Sequence, residues 1–219
     1  YYGGVLLVQE NNSEKGKIYL NQLQETYPTS KYLYKSDYPL GKLAFEEENW
    51  DIAALHLTNA LKNKGMPKAQ KLEIKRFLAW TYHFQGNKEQ AEKADIGMLN
   101  EDIDEDSKAK ICFQLGVEAH KLSDYPKAIF WFEKQMETWP HIDFQDKSRF
   151  WIAESYFAIH KNPEQNISKE DKNKTINLYS DNLSLESPLE PNLSYLRRGQ
   201  LYFSMQQKEL ADEDFAFLL

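Results

Sequence analysis

A chain of 219 residues with 27 Lys and Arg against 34 Asp and Glu carries a formal charge of −7, with an isoelectric point near 5.4. That balance disfavours nucleic acid as a partner, because phosphate-backbone binding draws on a basic surface that releases counterions, and it disfavours anionic membrane surfaces for the same reason. Apolar and charged fractions of 41% and 28% are those of a folded chain, and the longest apolar run, residues 3–8, falls far short of the roughly 20 residues that span a bilayer, so no transmembrane segment is expected.

From the N-terminus onward the chain repeats itself. Residues 3–20 read GGVLLVQENNSEKGKIYL, 40–57 read LGKLAFEEENWDIAALHL, 78–95 read LAWTYHFQGNKEQAEKAD and 115–132 read LGVEAHKLSDYPKAIFWF. A copy interrupted by an insertion runs over 152–179, and RGQLYFSMQQKELADEDF follows at 198–215. In each copy a small residue follows a bulky or apolar one, and an apolar or aromatic residue comes about one turn later. A polar turn follows, and then a second small residue opens another helical stripe. The first small positions are Gly4, Gly41, Ala79, Gly116, Ala153 and Gly199, and the second are Gly16, Ala53, Ala91, Ala128 and Ala211, with Thr175 as the exception.

Two antiparallel helices cross closely only where neither projects more than a hydrogen or a methyl, and a larger side chain wedges them apart at a cost of roughly 1–3 kcal/mol. Each copy is therefore expected to be a helical hairpin, giving about six over residues 1–28, 31–67, 71–102, 107–140, 145–188 and 192–219. Copies recur at about 37 residues, apart from the last step, which is a helical-solenoid period. By this register Tyr1 falls inside a first helix and Leu219 inside a second one, with no polar capping helix after the apolar AFLL end. Solenoids need polar caps, so the chain is expected to be a piece of a longer array or to make contacts at its uncapped C-terminal end.

Within the copies, local signals recur. The acidic run EDIDED at 101–106 lacks the glycine and glutamate of a calcium loop and reads instead as charge complementing the positive end of the helix that follows. Cys112, the one cysteine, rules out an internal disulfide and a cysteine-rich zinc site, and its apolar neighbours Ile111 and Leu115 predict a buried, inert thiol. Over 124–140, Asp124 is placed to cap a second helix, Pro126 falls in its first turn and Pro140 closes the unit. Phe132 recurs as Leu57 and Phe215, which marks it as packing between helices, and Trp131 and Trp139, on a second helix, are expected toward the neighbouring repeat or the convex side, away from the groove. The polar stretch HKNPEQNISKEDKNK at 160–174 shows no helical period and reads as an exposed loop, an insertion tolerated at a hairpin tip.

Catalytic signatures are missing. His56, His83, His120, His141 and His160 form no metal-ligand spacing, although His83 and His120 fall at equivalent places in adjacent copies and are expected to be solvated side chains of one surface. No GxSxG, P-loop or GxGxxG occurs, and neither an enzyme nor a cofactor is expected. Sequons at Asn11, Asn166, Asn173, Asn182 and Asn192 carry little weight in a lysine- and asparagine-rich chain.

The order LG…A…DY…A…F…P over 115–140, and its recurrence along nearly the whole chain, resembles the tetratricopeptide repeat family. That resemblance implies an all-α, right-handed superhelical solenoid of antiparallel helical hairpins acting as a non-catalytic protein–protein interaction scaffold. Its extra length between units, with YPTSKY at 27–32 and the stretch 139–157, is similar to repeats of bacterial envelope proteins such as outer-membrane assembly lipoproteins, and implies a periplasmic or envelope location. In such a superhelix the first helices line a concave groove, which here would present Tyr38, Lys42, Phe45, Arg76, Trp80, His83, Phe113, Val117, His120, Phe150, Glu154, Phe157, Gln200 and Phe203 to a peptide or protein partner. Chaperone-binding members hold a C-terminal carboxylate with paired Lys and Asn; Tyr38, Trp80 and Phe113 stand in that register, which disfavours a chaperone co-receptor. The alternative is a regulatory sensor domain that binds a small peptide or ligand and changes superhelical pitch.

Overall fold

The computed structural model describes residues 1–9, 12–30, 32–142, 144–161 and 168–219. Among the described residues there are twelve helices and no strand: α1 (Tyr2–Gln9), α2 (Ser13–Thr26), α3 (Leu33–Glu46), α4 (Trp50–Ala60), α5 (Lys68–Phe84), α6 (Lys88–Leu99), α7 (Glu105–Lys121), α8 (Tyr125–Thr138), α9 (Gln145–His160), α10 (Lys169–Leu183), α11 (Pro191–Ser204) and α12 (Lys208–Ala216). They fall into two compact units, Tyr1–Asp102 and Ile103–Leu219. In the first, α1/α2, α3/α4 and α5/α6 pair as hairpins; in the second, α7/α8, α9/α10 and α11/α12 do so, and within each unit consecutive hairpins pack on one another.

The small residues lie where the helices cross. A Cβ added to Gly116 would stand 2.6 Å from Phe132 Cε1, and at Gly41 it would meet Leu57 Cδ2 at 2.9 Å, at Gly4 Leu20 Cγ at 2.9 Å and at Gly199 Phe215 Cε1 at 2.5 Å. One position of each second helix thus fills the gap that the glycine leaves. Leu20, Leu57 and Phe132 are fully buried there, and each contributes on the order of 1.5–3 kcal/mol by leaving water. In α5/α6 the corresponding place holds Asp95, buried and bound by His83 Nε2 at 2.8 Å on its Oδ2.

The turns inside the hairpins share one geometry. Glu48, Gly86, Ser123 and Gln206 all have φ between 57° and 68°, the left-handed region. The next residue's N–H then reaches back five positions, from Asn49 to the Ala44 carbonyl at 2.8 Å, Asn87 to Tyr82 at 3.0 Å, Asp124 to Ala119 at 2.9 Å and Gln207 to Tyr202 at 3.0 Å. This is the Schellman arrangement, which satisfies orphan carbonyls of the first helix. The same residue starts the second helix: the side chains of Asn49, Asn87 and Asp124 accept from the N–H groups of Ile52, Gln90 and Lys127. Asp104 caps α7 likewise, accepting from Ser107 N at 2.7 Å and Ser107 Oγ at 2.8 Å, so the acidic run at 101–106 serves a helix start.

Between hairpins, side-chain amides meet buried serines. Gln24 Nε2 donates to Ser36 Oγ at 3.2 Å and to Asp37 Oδ1 at 2.9 Å, joining α2 to α3. Ser148 Oγ donates to Gln135 Oε1 at 2.7 Å, joining α8 to α9, and Asn182 Nδ2 donates to Ser194 Oγ at 2.9 Å, joining α10 to α11. Ser36, Ser148 and Ser194 are fully buried and occupy one position of the repeat, five before the small residue. Asn182, also buried, is held at both ends of its amide, donating to the Leu189 carbonyl and accepting from the Leu189 N–H. Its sequon is therefore closed to glycosylation in the folded chain.

Two expectations need correction. The polar stretch 160–174 is not a loop throughout: His160 still belongs to α9, and α10 begins at Lys169. Ser168 Oγ caps it by accepting from Asp171 N at 3.0 Å, and Glu170 and Asp171 complement its positive end, so capping sets this start where an exposed first turn shows no apolar stripe. The middle of that stretch, 162–167, including Asn166, lies outside the described residues, as does Asn11. His83 and His120 are half-buried and hydrogen-bonded rather than freely solvated; besides the Asp95 contact, His120 Nδ1 lies 2.9 Å from Ser155 Oγ, with its ring edge-on to Trp151 at 5.0 Å.

Candidate interaction surface

On the first unit the candidate residues of α3 and α5 form one strip. The Tyr38 hydroxyl donates to the Glu73 carboxylate, and burial together with that bond holds the phenol well above its ordinary value. Lys42 Nζ stands 3.9 Å from Glu73 Oε1 and 5.5 Å above the Phe77 ring. Further along, Phe45 packs edge-on against Phe77 at 5.1 Å, Phe84 at 6.0 Å and Trp50 at 5.3 Å, and tilts toward Trp80 at 6.4 Å. Trp50 and Phe84 stack at 4.8 Å. Five aromatic rings thus adjoin where α3 and α5 end and α4 begins.

Of this cluster Trp80 is 46% exposed and Phe84 61%, while Phe45 is half-buried beneath them. Arg76, one turn before Trp80, is exposed. Sequence reasoning had picked out Phe45 and Trp80 but missed Trp50, Phe77 and Phe84. Trp50 and Phe84 flank the polar turns, outside the part of the repeat assigned to the groove, and the available signal was their bulk beside the αL turn positions.

On the second unit the candidates have a different character. Phe150 and Phe157 are 3% and 5% exposed and belong to the core formed with Ala153, Ile176, Tyr179 and Leu201. Phe113 lies against Phe132 at 5.5 Å and Phe144 at 5.2 Å, and Val117 packs on the α7–α9 core. Glu154 accepts from the Tyr179 hydroxyl at 2.5 Å and lies 3.5 Å from Arg197 Nε, whose guanidinium covers the Phe157 ring at 4.5 Å. Burial first, and then the Glu154 carboxylate, push the Tyr179 phenol far up. Only Gln200 and Phe203, the latter 64% exposed, face solvent fully.

Among the described residues no group of three or more His, Cys, Asp or Glu is arranged to hold a metal ion. Cys112 is fully buried, with its thiol pushed up to about 11 by burial, so it carries little of the reactive thiolate near neutral pH. Among the described residues no helix is long and apolar enough to cross a membrane.

No family model and no curated protein matches the chain. Among solved structures it is similar to a tetratricopeptide repeat protein from Parabacteroides merdae ATCC 43184, at 16% identity and a TM-score of 0.50 over 98% of this chain and 89% of that one. BtubC (BKLC) from P. vanneervenii aligns at 14% identity and a TM-score of 0.42, over 93% of this chain and 85% of that one. The first likeness shows the fold: an all-α helical-repeat architecture of the tetratricopeptide type.

Proposed function

We propose that the chain is a non-catalytic interaction scaffold that holds a peptide or protein segment against the exposed faces of its first helices, in the concave groove that the resemblance to tetratricopeptide repeats implies. The observation that carries this reading is the α3–α5 strip, where Trp80 stands half out of the surface on a bed of aromatic rings with Arg76 beside it. Large rigid rings and arginines supply contact area at low entropic cost, which is why they dominate binding hot spots. The envelope-like sequence features at 27–32 and 139–157 favour a bacterial cell-envelope complex as the setting.

The test is capture of partners by the wild-type protein and by Trp80→Ala/Arg76→Ala, followed by mass spectrometry. Captured species should be lost from the variant while its helical circular dichroism and melting temperature stay near wild type. Undiminished capture overturns the assignment of this strip, and a collapse of the helical signal assigns Trp80 to the core instead. In the second unit Phe203→Ala/Gln200→Ala is the corresponding pair, since Phe113 is committed to packing.

A further inference from the structure

Next to the strip, at the turn ends of the second and third hairpins, lies a depression of about 500 Å³. One wall is the stacked pair Trp50 and Phe84; the others carry Glu47, Glu48 and Asp51. Glu47 is answered by Lys17, whose Nζ lies 2.5 Å from its Oε2, and Asp51 Oδ1 accepts a neutral hydrogen bond from Gln85 Nε2 at 2.7 Å. Among the described residues no cation is paired with Glu48 or Asp51, and both are exposed. Two uncompensated carboxylates therefore flank a ring stack of which Phe84 is the exposed member and Trp50 is half-buried. A ring face attracts cations through its quadrupole, and neighbouring carboxylates add charge-assisted hydrogen bonds for an ammonium or guanidinium.

We infer that this depression takes a lysine or arginine side chain from an extended, basic protein segment. The assignment rests on the scaffold reading and names the partner's chemistry. The cation lies against the exposed Phe84 ring of the stack while its N–H groups donate to Glu48 and Asp51. The chain's charge of −7 acts in the same direction, steering basic segments toward the surface. An acidic or phosphorylated segment is repelled by the same carboxylates.

The test uses a fluorescein-labelled peptide of repeated Gly-Arg-Ser-Lys and a counterpart with Glu at each basic position, titrated by anisotropy with the full chain at low and at physiological salt. The basic peptide should bind and the acidic one should not, with affinity falling as salt rises. Trp50→Ala/Phe84→Ala should weaken binding roughly fivefold. Because that variant removes packed rings, Glu48→Gln/Asp51→Asn is the decisive one: it keeps the shape, and should weaken binding by a similar factor and flatten the salt dependence. Equal binding of both peptides, no binding of the basic peptide, or wild-type affinity in Glu48→Gln/Asp51→Asn overturns the inference. If the basic peptide fails but the Trp80→Ala/Arg76→Ala variant still loses captured partners, the scaffold reading stands and only the basic-side-chain assignment falls. If the peptide behaves as expected while capture is indifferent to Trp80 and Arg76, the depression stands without the strip.

Discussion

Replacing Gly116 by alanine probes the hairpin crossing directly. The new Cβ would lie 2.6 Å from Phe132 Cε1 and 2.8 Å from both Cδ1 and Cζ, closer than carbon atoms tolerate. Phe132 is fully buried and in ring contact with Phe113, so its ring cannot swing clear and α7 and α8 must separate. Overpacking of this kind costs roughly 1–3 kcal/mol, and the severity of the contact places it near the top of that range. Against it, alanine in a helix interior gains about 1 kcal/mol over glycine. A net loss of about 2 kcal/mol follows, which for a chain of this length lowers the melting temperature by roughly 4–8 °C. Gly97→Ala is the matched control: nothing lies within 4 Å of its added Cβ, so only the propensity gain remains and stability should rise by up to about 1 kcal/mol. Adding Phe132→Leu to Gly116→Ala should recover part of the loss, as expected for residues in contact. Thermal melts by circular dichroism decide the matter. A Gly116→Ala protein melting at or above wild type would refute the close-crossing argument, because the propensity term would then be acting alone.

Further outcomes follow from the same packing. At the hairpin turns, Gly86→Ala forces a Cβ into the left-handed region and should cost about 1–2 kcal/mol in urea unfolding, whereas Ser123→Gly, where a side chain already occupies that region, should leave the midpoint unchanged or raise it. Ser148→Ala removes the donor to the buried Gln135 Oε1 and should cost about 1–3 kcal/mol, measured by denaturant titration, with Ser148→Thr less damaging. Stability should also fall on mild acidification. Burial lowers the pKa of His120 and His160 below the ordinary histidine value of about 6.5, so the unfolded chain takes up protons first as pH drops; their contribution is present in full above about 6.5 and is lost as pH falls through the lower folded-state values. Melts at successive pH values from neutrality downward should show this decline, a shallower one in His160→Gln, and a flat profile would contradict it.

What the amino-acid sequence determined by itself was the repeat: the small crossing residues, the caps, and the packing of Phe132 between the two helices of its hairpin. These are legible because each depends on neighbours within one hairpin, at spacings that recur copy after copy. Asp124 caps α8 because it stands three residues before Lys127, and no distant part of the chain enters into that. The exposed surface was decided elsewhere. Trp80 and Val117 occupy the same register position, one after the small residue, yet the first stands open and the second is packed in the α7–α9 core. Phe45 and Phe157 share another, and one joins an open aromatic cluster while the other is sealed beneath Arg197. Nothing within a single repeat distinguishes them, because the side chains that cover a first helix come from the next hairpin. The histidines also depend on helix pairing: His83 finds Asp95 on the second helix of its own hairpin, and His120 finds Ser155 on the next hairpin. Periodicity tells a residue which way it points along its own helix, but burial depends on what the neighbouring helix places opposite it, and that belongs to the tertiary structure alone.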